Sequence, residues 1–164
     1  MYWEKIGDCL DAEKRLIDIS EIKIKKLSRT LIGITGQVLV RKTIEEGFTV
    51  EVVATRKALT GRWVPVDIQD ITSKRHNGCE LISVEKYYVG PVLKSAHIPP
   101  KCPIQEGTYT LVNDTMAFNL PRFIIPTCYK LEVKLFDTEE NVFMCGAAVI
   151  KIVPTGEGPF PKCI

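Results

Sequence analysis

Residues Tyr129 to Phe136 read YKLEVKLF, with Tyr129, Leu131, Val133 and Leu135 on one parity and Lys130, Glu132 and Lys134 on the other. A period of two belongs to an extended chain, whose successive side chains point to opposite faces. One parity is apolar and the other charged, so this strand has a dry face and a wet face, as in antiparallel sheets packed on one side. FTVEVVA repeats the pattern, with Phe48, Val50, Val52 and Ala54 opposite Thr49 and Glu51. Further strands are expected over Arg15–Leu27, Leu31–Arg41, Trp63–Ile68, Thr108–Val112 and Met116–Leu120. Asp137–Asn141, DTEEN, is a hairpin loop joining YKLEVKLF to VFMCGAAVIKI. About eight strands at short spacing predict a two-sheet antiparallel sandwich or barrel.

One stretch departs from that period. NGCELISVEKYYVGP offers Asn77 as an N-cap, Leu81, Val84 and Tyr88 at helical spacing, and Pro91 as a stop, so one short helix is expected. The Pro- and Gly-rich tail from Val153 to Ile164 is expected to cross the surface as an irregular strap. The 164 residues, 45% hydrophobic and 26% charged, suit a single domain over 1–164 with its own core.

Function classes narrow next. A net charge of +2, with bases and acids interleaved, argues against nucleic acid as a partner. In KIKKLSR, Lys23 and Lys25 alternate with Ile22 and Ile24 and read as the wet side of a strand. Six dispersed cysteines, none in a CxxC pair, with only two histidines, do not have zinc spacing. They read as three disulfides formed in an oxidising compartment, and the sequon at Asn113 points to the same secreted, extracellular setting. MYWEKIGDC has no apolar core region, so it is not a signal peptide, and Met1 reads as a start placed on a mature chain. No run of 18 apolar residues offers a membrane span.

No GxSxG elbow, HExxH or glycine-rich phosphate loop is present, and His76 and His97 lie in turn-like segments outside any catalytic pattern. The chain is therefore read as a non-enzyme without cofactor or metal. What stands out is apolar sequence where polar sequence is expected. LPRFIIPT sets Phe123, Ile124 and Ile125 in a row between two prolines, which disfavour a central strand. The run either folds back on the core or forms the lip of a cavity or a membrane-touching patch. GRWVPV places Trp63 beside a turn, with Pro65 marking an edge strand.

KCPIQEGTYTL carries a resemblance. Cys102, Pro103, Glu106, Gly107, Thr108 and Tyr109 resemble a Cys-Pro-x-x-Glu-Gly-Thr-Tyr stretch of the ganglioside activator proteins, within the wider ML-type lipid-recognition group. WEKIGDC, GRWVPV, GCELI and the closing hairpin follow in that family's order, and the similarity is best over Ile98–Ile152. The resemblance implies a β-cup, two sheets held apart around a hollow apolar interior, stapled by disulfides. It implies the pairs Cys9–Cys145 and Cys79–Cys102, which leaves Cys128 for Cys163, a bridge outside the family pattern. Two further cysteines of the family's helical loop are absent, and secreted insect relatives linked to chemosensory tissues look closer in build than the lysosomal ones.

The expected function is that of a secreted carrier whose partner is a lipid or other long apolar molecule. Phe123, Ile124 and Ile125 would form its lip, and Trp63, Leu81, Tyr88, Phe118 and Leu120 its rim or wall. Phe48, Val50, Val52, Leu131, Val133 and Leu135 would line it. The alternatives are a protein-interaction module using the lip as a receptor contact, and a lipid-lifting activator of a hydrolase that touches membrane transiently.

Overall fold

The computed structural model describes residues 2–28, 31–68, 72, 74–84, 89–117, 125–153 and 162–163; for 2, 3, 89, 91, 92 and 112–117 it describes the backbone alone. Two antiparallel sheets form the body. Sheet A has the order β1 (Tyr2–Asp8), β10 (Val142–Lys151), β9 (Cys128–Phe136), β5 (Thr49–Lys57), β6 (Trp63–Val66), and the short β7 (His76–Asn77) also pairs with β5. In sheet B, β4 (Leu31–Val40) lies between β8 (Gly107–Ala117) and the two short strands β2 (Ile17–Asp18) and β3 (Lys23–Lys26). Two short helices, α1 (Gly78–Val84) and α2 (Val89–Ser95), connect β7 to β8.

The helical stretch forms where its cap predicts. Asn77 Oδ1 accepts a hydrogen bond from the Glu80 amide at 3.1 Å, satisfying one amide of the first turn. Pro91 does not act as a stop. It sits in the first turn of α2, where a missing N–H forfeits no helical bond. Tyr88 lies outside the described residues.

Other boundaries move for physical reasons. Arg15–Leu27 divides into β2 and β3 around a turn at Ser20–Glu21. The two strands expected at 108–112 and 116–120 are one strand, β8, through residue 117. Its pairing with β4 shifts register between Ile34 and Gly36, a bulge that absorbs the extra residues. Gly36 has φ +117, which an L side chain rarely adopts, so the bulge needs glycine. The first strand, β1, carries no clean alternation because its register with β10 also shifts, between Trp3 and Lys5. His76, expected in a turn, is half-buried in β7. Pro65 does lie on the edge strand, exposed.

One core lies between the sheets. Ile17, Ile32, Ile34, Val38, Val40 and Leu111 of sheet B meet Val50, Leu135 and Phe143 of sheet A and Phe48, just before β5. Ile44, Ile82, Ala96, Ile98 and Ile104, from the loops and helices, close the end where β4, β9 and their neighbours Phe48 and Phe143 meet. Each Val, Leu, Ile or Phe among them contributes roughly 1.5–3 kcal/mol by leaving water. Disulfides join Cys9 to Cys145, Cys79 to Cys102 and Cys128 to Cys163, with Cα separations of 5.1, 5.6 and 5.5 Å. The first two pairs are those implied by the resemblance, and the third is the one left by elimination. Cys9–Cys145 closes 136 residues, worth about 5 kcal/mol in the chain-entropy account.

Candidate functional site: the inner face of sheet A

Register decides which side chains look between the sheets. Val50 pairs with Leu135, Val52 with Val133, Ala54 with Leu131 and Arg56 with Tyr129. Directly opposed residues share a face, so these eight form one inner surface. The wet parity, Lys130, Glu132 and Lys134 with Glu51 and Val53, lies outside.

Along this surface the packing fades. At one end Phe48 is 3% exposed, Val50 5% and Leu135 9%, all within the core. One pair further, Val52 and Val133 are only half-buried at the margin of that core. Leu131 is half-buried and outside it, and Ala54, though covered, does not extend it. On sheet B, Ile32 and Ile34 stay buried. Inward-facing aliphatic residues on two central strands should be fully covered in a solid sandwich. Val52, Val133 and Leu131 are instead only partly covered.

The less covered end is where the β8–β9 connection arrives. Ile125, just before β9, is 55% exposed. Tyr129 donates its hydroxyl to the Ile125 carbonyl at 2.9 Å, tying this stretch to the mouth of the inner face. Burial pushes the Tyr129 hydroxyl above its ordinary pKa, while the Arg56 charge beside it pulls the other way. The β5–β6 turn at the same end carries Leu59, fully exposed, and Thr127 Oγ1 donates to the Lys57 carbonyl at 2.8 Å.

The remaining predicted residues are placed elsewhere or not described. Trp63 is not part of this surface. It pairs with Lys57, on the opposite parity, and packs outside sheet A against Cys128, Val149 and Cys163, with Lys130 Nζ 5.2 Å from its ring. Lys57 Nζ donates to the Lys162 carbonyl at 2.8 Å, so Trp63 and Lys57 together hold the stretch that carries Cys163. Leu81, in α1, packs on the core at the closed end and borders a shallow surface cleft of about 190 Å³. Phe118, Leu120, Phe123 and Ile124 lie outside the described residues. Asn113 falls within β8. Sequence reading missed Arg56 and Leu59; continuing the parity of Val50, Val52 and Ala54 by one step would have found Arg56.

A second cleft, about 340 Å³, lies on the outer side of sheet A beside Lys5, Trp63, Lys130 and Val149. Near it Cys9, Cys145 and Glu132 cluster, but both sulfurs are joined in a disulfide and offer no thiolate to a metal. No described helix is long and apolar enough to cross a membrane.

Among solved structures the chain is similar to a Niemann-Pick type C2 protein from Japanese carpenter ant, at 13% identity over 90% of this chain and 98% of that one, with a TM-score of 0.45. It is also similar to chicken MD-1 complexed with lipid IVa, at 10% identity over 90% and 87% of the two chains and a TM-score of 0.40. Comparison with curated proteins finds no significant match. A family model described as ML domain matches residues 5–152. The match takes in strands of both sheets and leaves out only the first four and last twelve residues, and this chain belongs to the ML-domain family.

Proposed function

We propose that this chain is a secreted carrier that takes the apolar portion of a lipid, or another long apolar molecule, between its two sheets. The observation that carries this reading is the loss of cover along the inner face of sheet A, from buried Val50 and Leu135 to half-buried Val52, Val133 and Leu131. An apolar chain laid there completes their burial at about 25 cal/mol per Å², several kcal/mol for one acyl chain. The work is solubilisation by burial rather than reaction. Phe123 and Ile124 with Ile125 as lip, and Tyr88, Phe118 and Leu120 as wall, remain part of this proposal on the sequence alone. So do extracellular residence and glycosylation at Asn113.

The test is uptake of an environment-sensitive apolar dye by the delipidated protein. Val133→Arg, in a variant whose circular dichroism is unchanged, should abolish uptake, while Val53→Arg on the outer face should not. Equal uptake by both variants would place the dye elsewhere and sink the reading.

A second reading rests on a different observation. Leu27, Leu59 and Ile125 are exposed by 49%, 109% and 55%, and all three sit beside strand ends at the open pole. Lys25, Lys26 and Arg62 lie beside them, exposed. Apolar tips flanked by cations suit contact with an anionic bilayer. Flotation with vesicles containing phosphatidylserine, lost in a Leu59→Asp/Ile125→Asp double variant, would support a protein that loads at membranes. No flotation on any vesicle would remove that step and leave simple carriage.

A further inference from the structure

Arg56 is out of place as a structural residue. It is the fourth inward position of β5, after Val50, Val52 and Ala54, and its neighbour across the ladder is Tyr129. Both side chains are half-buried. The other arginines described in full near charged groups are paired: Arg15 with Asp8 and Asp18, Arg41 with Asp18, and Arg75 with Glu51 and Glu140. Among the described residues Arg56 has no hydrogen bond and no carboxylate partner, and its charge acts on Tyr129. At the same pole the Glu4 carboxylate is paired with Lys151 at 3.8 Å. Among the described side chains, therefore, none is paired with this half-buried guanidinium. A valine or leucine would satisfy the inner face of β5 better.

We propose that Arg56 is the head-group site of the carrier: it receives the anionic oxygens of a single-chain amphiphile, carboxylate or phosphate, whose tail runs inward over Val52, Leu131 and Val133. The inference rests on the carrier reading and narrows its ligand class. Three features favour it. The planar guanidinium presents paired N–H donors matched to two oxygens of one acid group. Arg56 lies at the mouth, so a head held there keeps partial contact with water while the tail is dry. The Tyr129 hydroxyl, fixed by its bond to the Ile125 carbonyl, stands on the same face and offers an oxygen-lined rim rather than a second charge. A neutral ligand would leave the arginine uncompensated when the mouth fills, so the site also selects against alcohols and hydrocarbons of equal length.

The experiment is dye displacement by three C16 compounds at pH 8, where the acid is ionised: palmitate, hexadecyl phosphate and hexadecanol, each below its aggregation threshold. Wild type should bind palmitate and hexadecyl phosphate about ten- to a hundredfold more tightly than hexadecanol, the range of one charge-assisted bidentate contact. Arg56→Met should erase that preference while leaving hexadecanol affinity within about threefold, and Arg56→Lys should restore part of it. Preference for palmitate alone, or for hexadecyl phosphate alone, identifies the head group within the proposal. Equal binding of all three by wild type, or a preference unchanged in Arg56→Met, overturns the proposal and leaves the carrier intact. Failure of all three to displace dye overturns the carrier reading as well.

Discussion

If the inner face of sheet A is packed at one end and open at the other, the same chemical change should cost different amounts at two positions on it. Val50 and Val133 point the same way from adjacent central strands, but Val50 is 5% exposed within the core and Val133 is half-buried at its margin. Val50→Ala removes two methyl-sized groups worth about 0.8 kcal/mol each, and the walls around it cannot fully collapse, so the total should reach about 2–3 kcal/mol. At Val133 part of that surface already meets solvent and no closed void is created, so about 1 kcal/mol or less is expected. Enlargement should separate the sites further. Val50→Phe must push into Phe48 and Leu135 and should cost at least about 1–3 kcal/mol. Val133→Phe extends into free space and should be nearly neutral, while reducing ligand capacity. Urea unfolding of the delipidated protein with its disulfides intact supplies the numbers, provided m is constant across the set. Matching costs at the two positions, for both the alanine and the phenylalanine changes, would show a uniformly packed interior and refute the reasoning.

Other consequences follow from single features. Replacing Cys128 and Cys163 by serine should lower stability by roughly 3–4 kcal/mol, from a closed loop of 35 residues, and should expose Trp63 to a fluorescence quencher. Gly78→Ala should be severely destabilising in a thermal melt, because any Cβ there falls on the Phe48 ring. Asp18 is held below the usual carboxylate range, chiefly by the Ser20 hydroxyl at 2.6 Å and also by Arg15 and Arg41. Since the folded pKa is the lower one, this group's stabilisation is full above the unfolded value and is lost as pH falls through the folded one. Ser20→Ala should therefore raise the Asp18 pKa in an NMR titration and leave less stability to be lost on the acid side.

Much of the fold was legible because two strands obey a simple rule. The alternation in YKLEVKLF and FTVEVVA assigned Val50, Val52, Leu131, Val133 and Leu135 to one face, and the register puts them together. Where a bulge interrupts the period, reading failed: Trp3/Lys5 hid β1, and the shift opposite Gly36 made β8 look like two strands. An apolar Trp63 beside a turn on an edge strand suggests a cavity rim, but parity with Lys57 turns it outward to the Cys128–Cys163 bridge. Pro91 misled because a proline near a helix marks either a first turn or a stop, and only the chain's geometry distinguishes them. The partial exposure of Val52, Val133 and Leu131 has no sequence signature at all, since a half-covered apolar residue and a fully packed one look the same on paper.

The central claim, that an apolar molecule occupies the space between the sheets, is tested most directly by native mass spectrometry of the chain secreted from eukaryotic cells, followed by denaturing extraction. The account predicts a mass increment that comes off as a lipid or other long apolar molecule, absent from a folded Val133→Arg variant. A protein that is repeatedly empty and also takes up no added apolar ligand would contradict it.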